Sequence, residues 1–293
     1  MNTEVTIGAG FARAPGPLYV GLDLGASRTK VAVIDAAGTL LGQAVRKSGI
    51  DFAQTARSCL DLALEMAGAT MTDVGGAVST GYGRGNVGFI TEVTKTEIGC
   101  LARGAYEAFP EAITIIDIGG QDNKIIKVDA AGLRQSFKMN RKCAAGTGAF
   151  LEEMAMRLDV SLEAMNALAG QAREMIKLGS YCTVFSATEV LENIRAGRPV
   201  ADIVNGIFYS MIKRVLEMDS LGERVVMTGG VVAHNPYLVK MTADLIERPV
   251  LLGALPQFVG AIGAALHARD DALASAGRPT ARPNTTTTTP TGD

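Results

Sequence analysis

The amino-acid sequence predicts an α/β protein in which one structural unit occurs twice. Three observations lead to this prediction. First, two apolar runs carry an aspartate near their end and a glycine soon after it, at Asp23 and at Asp117. Second, each run is followed by two further strand-like runs separated by short turns, as in a β-meander. Third, segments with helical spacing of apolar residues follow both meanders, which predicts helices packed on mixed sheets.

The first half opens with an alternating apolar pattern at residues 18–24, and Gly25 marks the bend after it. The turn Ala36-Ala37-Gly38 separates the second strand from the third. The remaining strands are predicted at residues 30–35, 39–45 and 75–79, and helices at residues 52–67 and in the second half of 90–109, before Pro110.

The second half repeats this order and then adds helices. Gly119-Gly120 follows the opening strand, and a turn at 129–132 separates the next two strands. Strands are predicted at residues 112–118, 124–128, 133–139, 224–227 and 249–252, and helices at 149–158, 161–169, 187–195, 201–218, 237–246 and 257–268.

Composition and charge exclude several classes of protein. The chain is 47% hydrophobic and 20% charged, which is typical of a globular protein. A net charge of −2 gives no electrostatic reason to expect a nucleic acid or an anionic membrane as partner. Four cysteines without a CxxC spacing are too few for a disulfide scaffold, and two histidines cannot build a histidine-rich metal site.

The domain organisation follows from the two copies. Residues 1–17 are expected to form a flexible leader, and the low-complexity residues 277–293 a disordered tail. Residues 18–110 are predicted to form the first domain, completed by a C-terminal helix at 257–276, and residues 111–256 the second. The start of the chain has no secretory signal pattern, and no apolar run is long enough to span a membrane, so we expect a cytoplasmic protein.

Three glycine-containing motifs predict a phosphate site. They are residues 23–30, residues 117–122 and Thr228-Gly229-Gly230. Gly25 lets the chain turn under a phosphate, and the residues after it offer backbone N–H groups and hydroxyls. Asp23 is placed to hold Mg²⁺, through water because Mg²⁺ keeps much of its hydration shell. A single DxG is more often a plain turn, but three motifs in this order favour a nucleotide site.

This set of motifs resembles the actin–Hsp70–sugar kinase ATPase superfamily, whose fold is ribonuclease H-like. The resemblance implies two duplicated domains around a cleft that binds ATP or ADP, with Asp23 and Asp117 facing Mg²⁺ from opposite sides. The P-loop pattern of the other common ATPase class is absent from the sequence. The residues that the resemblance implies for nucleotide binding are Gly25, Ser27, Arg28, Thr29, Lys30, Gly119, Gly120, Gly229 and Gly230, with the last two at the adenosine.

Several assignments at this site stay open. Asp23, Asp117 and Gln121 are the candidate catalytic residues, and Gln121 or Asp122 would position the attacking water. Lys30 suits a solvated or strand-end position better than a catalytic role. Arg84 is either structural or in contact with nucleotide.

The four cysteines divide into two pairs. Cys59 and Cys100 lie on apolar helical faces and are expected to be buried. Cys143 and Cys182 each precede a predicted helix, where free N–H groups favour a thiolate. Two thiolates cannot complete a four-coordinate site, so a second subunit would supply the other two, around either a [4Fe–4S] cluster or zinc.

A narrower resemblance follows from DIGGQD at 117–122, KCAAGTG at 142–148, CTVF at 182–185, VMTGG at 226–230 and GAIGAAL at 260–266. These motifs resemble the family of benzoyl-CoA reductase ATPase subunits and 2-hydroxyacyl-CoA dehydratase activators, over residues 20–268. The family implies an ATPase dimer that shares one [4Fe–4S] cluster, with Cys143 and Cys182 as its ligands in each subunit. It also implies a ferredoxin or flavodoxin donor and a catalytic reductase or dehydratase partner. Ala149 departs from the arginine that many members have after CAAGTG.

The client enzyme and the composition of the dimer are less defined by the sequence. The segment 228–236 favours a benzoyl-CoA reductase as client over a 2-hydroxyacyl-CoA dehydratase, and the dimer partner is either an identical chain or a related subunit. Two alternatives remain, a small-molecule kinase of the same superfamily and a non-catalytic subunit. No catalytic base or substrate loop is evident for the kinase, and the intact aspartate–glycine motifs disfavour the non-catalytic subunit.

Overall fold

The computed structural model describes residues 16–140, 142–179 and 182–276. Most of the predicted leader and all of the predicted tail lie outside these residues. A four-stranded sheet in the order β3-β2-β1-β4 forms from the first half of the chain. Strands β1, β2 and β3 are antiparallel neighbours, and β4 runs parallel to β1. Their bounds are Leu18–Leu24 for β1, Arg28–Ile34 for β2, Leu40–Lys47 for β3 and Val74–Thr80 for β4.

A five-stranded sheet in the order β7-β6-β5-β8-β9 forms from the second half. It repeats the first sheet, since β5, β6 and β7 form the antiparallel meander and β8 runs parallel to β5. The short strand β9 extends this sheet beyond β8. The bounds are Ile113–Ile118 for β5, Asn123–Val128 for β6, Arg134–Asn140 for β7, Val225–Thr228 for β8 and Val250–Leu252 for β9.

Nine α-helices lie in the described part of the chain, and they cover the sheets. The central strands β1 and β5 are buried along their whole length, as expected for strands covered on both faces. The helices are α1 Phe52–Met66, α2 Glu97–Ala108, α3 Gly148–Leu158, α4 Leu162–Gly170, α5 Thr183–Arg195, α6 Val200–Leu216, α7 Gly230–His234, α8 Tyr237–Ile246 and α9 Val259–Ala276.

The strand registers demonstrate the internal duplication. Asp23 pairs with Lys30 across β1 and β2, and Asp117 pairs with Lys124 across β5 and β6. On the parallel side, Asp23 is level with Thr80 and Asp117 with Thr228. An Asp–Lys–Thr set therefore occurs at the same place in both sheets.

Helix α9 crosses β1 and α2 at very short distance because glycines stand at the crossing points. A Cβ on Gly21 would lie 1.9 Å from the Ala261 carbonyl oxygen, and a Cβ on Gly263 would lie 1.8 Å from the Cys100 carbonyl oxygen. Contacts this short are impossible for any side chain, so these positions require glycine. The C-terminal helix thus packs on the first sheet, which brings the two ends of the described chain together.

Two observed helices differ from the prediction. Helix α5 begins at Thr183, not at residue 187, so its first turn includes the exposed Val184 and Phe185. The short helix α7, directly after Gly229, is absent from the prediction. Among the described residues, no helix is both long and apolar enough to cross a membrane.

Candidate functional site

The turn between β1 and β2 is held by a buried serine outside the predicted motif. Ser48 Oγ donates to the Gly25 carbonyl oxygen over 2.6 Å, and the Ser48 amide donates to the Ser27 carbonyl oxygen over 3.1 Å. Thr29 is also fully buried, with its hydroxyl 3.0 Å from that of Ser48. Thr29 thus supports the loop from inside the sheet, whereas Ser27 and Arg28 retain exposed surface.

The turn between β5 and β6 is bound directly to the start of α3. The Gly148 amide donates to the Gly119 carbonyl oxygen, and the Ala149 amide donates to the Gly120 carbonyl oxygen, both over 2.9 Å. Gln121, at the tip of this turn, is exposed. The first two N–H groups of α3 are therefore occupied by the predicted second phosphate loop.

The two predicted phosphate loops lie against each other. A Cβ on Gly120 would lie 2.7 Å from Ser27 Oγ, so the two loops are in close contact at this glycine. The structure thereby brings together the first and second motifs of the predicted site, from opposite sheets.

A buried group of charges lies where the two sheets meet. Lys30 Nζ is 3.0 Å from Asp23 Oδ2. Lys124, only 1% exposed, is paired with three carboxylates: Nζ is 2.7 Å from Asp122 Oδ1, 2.9 Å from Glu97 Oε1 and 3.3 Å from Asp117 Oδ2. Those three carboxylates lie within 4.8 Å of one another, so the ammonium group is their common counter-ion.

The ionisation of this group is set by burial and by its neighbours. Burial raises the pKa of Glu97 to about 7, against the opposing effect of Lys124, and the charges of Asp23 and Asp122 add to the rise. The pKa of Lys124 is also raised, because attraction to Asp117, Glu97 and Asp122 exceeds the cost of burying the ammonium. The two pKa values rise for different reasons. At Glu97 the effect of burial exceeds that of the ion pair with Lys124, whereas at Lys124 the ion pairs exceed the effect of burial.

Lys124 and Glu97 are the residues that the sequence reasoning missed. A signal for Lys124 was present, because it follows Asp117 by the same interval at which Lys30 follows Asp23. Glu97 begins α2, and no local pattern connects it with the aspartates of the two sheets.

The two strand-end aspartates differ in their hydrogen bonding. Asp117 Oδ1 accepts from Thr228 Oγ1 over 2.8 Å, and its Oδ2 lies near Lys124. Asp23 Oδ1 is buried and has no hydrogen-bond partner among the described residues. A carboxylate oxygen in this condition is costly unless a cation or a donor reaches it.

The third motif forms a tight turn behind the second loop. Gly229 has φ +103°, and a Cβ there would lie 2.3 Å from the Ile118 carbonyl oxygen. The Gly229 amide donates to the Pro256 carbonyl oxygen over 2.9 Å. Gly229 is buried and Gly230 is only partly so. Gly229 therefore shapes this turn, while Gly230 opens α7 beside it.

The four cysteines separate by exposure. Cys59 and Cys100 are buried, while Cys143 and Cys182 are exposed. Cys182 is the N-cap residue of α5, and the Cys143 carbonyl oxygen accepts from Asn140 Nδ2 over 3.2 Å. Helices α3 and α5, which follow the two exposed cysteines, pack on each other. The structure therefore provides two accessible thiols on neighbouring elements.

We expect iodoacetamide to modify Cys143 and Cys182 in the folded, reduced, metal-free protein and to spare the other two cysteines. Burial raises the pKa of Cys59 to about 11 and that of Cys100 to about 12, so both stay protonated and inaccessible near neutral pH. Peptide mass spectrometry measures the four rates, and denatured protein, with all four cysteines modified, is the control. Native modification of Cys59 or Cys100 at the rate of Cys143 would contradict this assignment.

Comparison with known proteins gives relatives of nearly the same length. The activator of lactoyl-CoA dehydratase from Anaerotignum propionicum is 38% identical over 86% of this chain and 98% of that protein. The 2-hydroxyisocaproyl-CoA dehydratase activator from Clostridioides difficile is 36% identical over 87% of this chain and 96% of that protein. One of the benzoyl-CoA reductase subunits from Thauera aromatica is 31% identical over 69% of this chain and 74% of that protein.

Solved structures give the same result for the fold. Component A of (R)-2-hydroxyglutaryl-CoA dehydratase from Acidaminococcus fermentans superposes with a TM-score of 0.84 at 32% identity, over 88% of this chain and all of that one. The Clostridium difficile 2-hydroxyisocaproyl-CoA dehydratase activator with bound ADPNP gives 0.82 at 34% identity, over 88% and 97%. A glucokinase from Streptomyces griseus, at 15% identity and a TM-score of 0.54 over 86% and 99%, shares the fold alone.

These comparisons confirm the predicted α/β fold of the actin–Hsp70–sugar kinase superfamily, and they confirm the narrower resemblance. A family model matches residues 20–268, almost the whole described chain. The chain belongs to the BadF/BadG/BcrA/BcrD ATPase family.

Proposed function

We propose that this protein hydrolyses ATP and, as a dimer that shares one [4Fe–4S] cluster, passes low-potential electrons to a 2-hydroxyacyl-CoA dehydratase. The observation that carries the proposal is the direct bonding of the second phosphate loop to α3. The loop that carries Cys143 leads into this same helix. A nucleotide that reorients Gly119 and Gly120 would therefore move the start of α3 and the thiol loop with it.

A second contact also links the region of the second phosphate loop to the loop of Cys143. Asn123, fully buried at the start of β6, lies against the loop of Cys143, since a Cβ on Gly146 would be 3.0 Å from Asn123 Nδ2. Neither amide atom of Asn123 has a hydrogen-bond partner among the described residues. A buried polar group without a partner raises the free energy of the arrangement that contains it. The contact between Asn123 and the loop of Cys143 is therefore suited to switch to a second arrangement when nucleotide binds.

The nucleotide would lie between the two sheets, where the two loops approach each other. Gly25, Ser27, Arg28, Lys30, Gly119, Gly120 and Gly230 would contact it, and Thr29 and Gly229 would act by shaping the loops. Gln121 is exposed at the loop tip and is our candidate for positioning the attacking water. Asp122 is engaged by Lys124, which makes it the weaker candidate.

The donor set fits a hydrated Mg²⁺ best at Asp23. Its buried Oδ1 has no partner among the described residues, and carboxylate oxygens are the ligands that Mg²⁺ prefers. Asp117, with both oxygens already bonded, would reach the ion through water. The bound ion would supply charge neutralisation for the phosphates, and Asp23 would fix its position at the first loop.

Cys143 and Cys182 fit as half of a [4Fe–4S] ligand set. Both thiols are exposed and outside any disulfide, and such a cluster generally takes four thiolates, so a second subunit would complete it. Two apolar side chains lie close after Cys182 in the chain. Val184 is 71% exposed and Phe185 is 64% exposed. Two exposed apolar side chains beside the thiol suit burial against another subunit. The cluster, when bound, supplies one-electron transfer, with a ferredoxin or flavodoxin as donor.

The choice of client rests on the relatives. The sequence alone favoured an aromatic acyl-CoA reductase. However, the dehydratase activators are more similar to this chain than the Thauera aromatica reductase protein is, and they align over more of its length. We therefore place the dehydratase first and keep the reductase as the alternative client.

The test begins with protein purified under strict anoxia as wild type, Cys143→Ala and Cys59→Ala. We expect about four iron atoms per wild-type dimer and loss of this iron in Cys143→Ala. Cys59→Ala should retain the iron, because the thiol that it removes is buried in the core. Iron analysis and the spectrum of the reduced protein measure this. The wild type, given ATP and reduced ferredoxin or flavodoxin, should activate a 2-hydroxyacyl-CoA dehydratase.

Three results would contradict the proposal. They are a colourless monomer that transfers phosphate to a small hydroxyl compound, iron that stays bound in Cys143→Ala, or activation without ATP. Activation of a benzoyl-CoA reductase component in place of the dehydratase would reverse the order of the two clients.

A further inference from the structure

The segment before Cys182 is held by a buried carboxylate. Residues 171–179, which we call the strap, connect α4 to the region of Cys182 without regular secondary structure. Asp202, 4% exposed in the first turn of α6, accepts two strap amides on one oxygen. Arg173 N lies 2.7 Å and Glu174 N lies 3.1 Å from Asp202 Oδ1. A carboxylate that accepts two N–H groups is a strong local anchor.

The same face of α6 carries a second point of attachment. Gly206 lies four residues after Asp202, so both point to the same side of the helix. A Cβ on Gly206 would lie 1.9 Å from the Ile176 carbonyl oxygen. The strap backbone therefore rests directly on α6, and Leu178, 8% exposed, belongs to the adjoining hydrophobic core.

The far end of the strap is tied to the helix that Cys182 caps. The Gly179 amide donates to Glu189 Oε2 over 2.5 Å, and Glu189 lies in the second turn of α5. Cys182 thus stands between two anchored pieces of chain, the strap on one side and α5 on the other. Neither Asp202 nor Glu189 belongs to the nucleotide site.

We infer that Asp202 is a positioning residue for Cys182, with Glu189 as its second support. The inference rests on the proposed function, in which Cys182 binds the cluster. Groups that orient a metal ligand, without touching the metal, commonly govern how firmly the metal is held. Asp202 would do so through the strap, by fixing where the chain enters the N-cap of α5.

The test uses the full-length dimer with Asp202→Ala, Asp202→Asn and Glu189→Ala. Glu192→Ala is the matched control, because Glu192 is an exposed residue of the same helix. We expect Asp202→Ala to lose its iron about tenfold faster than wild type under a chelator. Glu189→Ala should lose it faster as well, and Glu192→Ala at the wild-type rate. Asp202→Asn should restore most of the retention, because its amide oxygen still accepts from the strap.

Two further measurements separate positioning from a general loss of stability. The spectrum of the reduced cluster should change in Asp202→Ala, while the affinity for ADP stays within about twofold of wild type, since Asp202 bonds to the strap and the strap to α5. In metal-free protein, the ratio of Cys182 to Cys143 modification by N-ethylmaleimide should change at least about threefold in Asp202→Ala and not in Glu192→Ala.

The outcomes distinguish this inference from the proposed function. If wild type binds no cluster, the proposed function fails, and the thiol ratio still tests whether Asp202 positions Cys182. If Asp202→Ala and Glu189→Ala keep the wild-type iron retention, spectrum and thiol ratio, the inference is overturned. It is equally overturned if ADP affinity falls in parallel with iron retention, or if Asp202→Asn is as defective as Asp202→Ala.

Discussion

Replacing Lys124 by alanine is expected to destabilise the folded protein by about 3–5 kcal/mol, the range for breaking a buried ion pair from one side. The change leaves the carboxylates of Glu97, Asp117 and Asp122 within 4.8 Å of one another without their common counter-ion. Because Glu97 belongs to α2 and the aspartates to the second sheet, the loss would also weaken the join between the two halves. Denaturant unfolding measures the effect.

Lys127→Ala is the control for this prediction. Lys127 lies on the same strand, but its pair with Asp219 is partly exposed, at 28% for the lysine side chain and 19% for the aspartate, against 1% for Lys124. Exposed pairs contribute little, so the unfolding midpoint should hardly move. In Lys124→Ala the destabilisation should lessen as pH falls, because crowded carboxylates bind protons more readily in the folded state than in the unfolded one. A loss independent of pH, or equal to that of Lys127→Ala, would contradict the counter-ion role.

Gly263→Ala is expected to destabilise the fold by about 2–3 kcal/mol, as overpacking of a close contact does. The new Cβ would lie 1.8 Å from the Cys100 carbonyl oxygen and 2.9 Å from the Gly104 amide nitrogen. Both atoms belong to the backbone of α2, so the helices α2 and α9 must separate. The better helix propensity of alanine recovers only about 1 kcal/mol of this cost.

Gly170→Ala provides the comparison. Gly170 is also helical, but its added Cβ would have no neighbour closer than 3.9 Å, the ring of Tyr237. Its stability should match or slightly exceed that of wild type. Thermal unfolding of the two variants side by side measures the difference, and equal behaviour would show that the α2–α9 crossing adapts to a methyl group.

The sequence was sufficient to predict the order of the strands and of every helix except the short α7, because hydrophobic period and turn glycines act locally. It also located the loops at Gly25 and Gly119, since each follows a buried strand end. The role of Thr29 was harder to predict. Its hydroxyl fits a phosphate loop equally well, and only the strand register turns it inward toward Ser48.

The parts that escaped prediction depend on contacts between distant segments. Glu97 meets Lys124 only because α2 crosses from the first half to the second. Asp202 of α6 accepts from Arg173 and Glu174 of the strap, with the whole of α5 between them in the chain and no common motif. A single sequence shows residue types and spacing, but such pairs are defined by the packing of whole elements.

The repeated Asp–Lys–Thr register makes the two sheets equivalent in pairing, yet the two aspartates differ in their hydrogen bonds. The aspartate of the second copy is saturated by Thr228 and Lys124, while Asp23 keeps one oxygen without a partner among the described residues. Each aspartate has a lysine on one oxygen, but in the described part of the chain only Asp117 has a second partner, so the first copy alone offers a buried carboxylate oxygen that a cation could bind. If nucleotide binds between the two sheets as we propose, its metal would therefore lie nearer to Asp23 of the first copy than to Asp117 of the second.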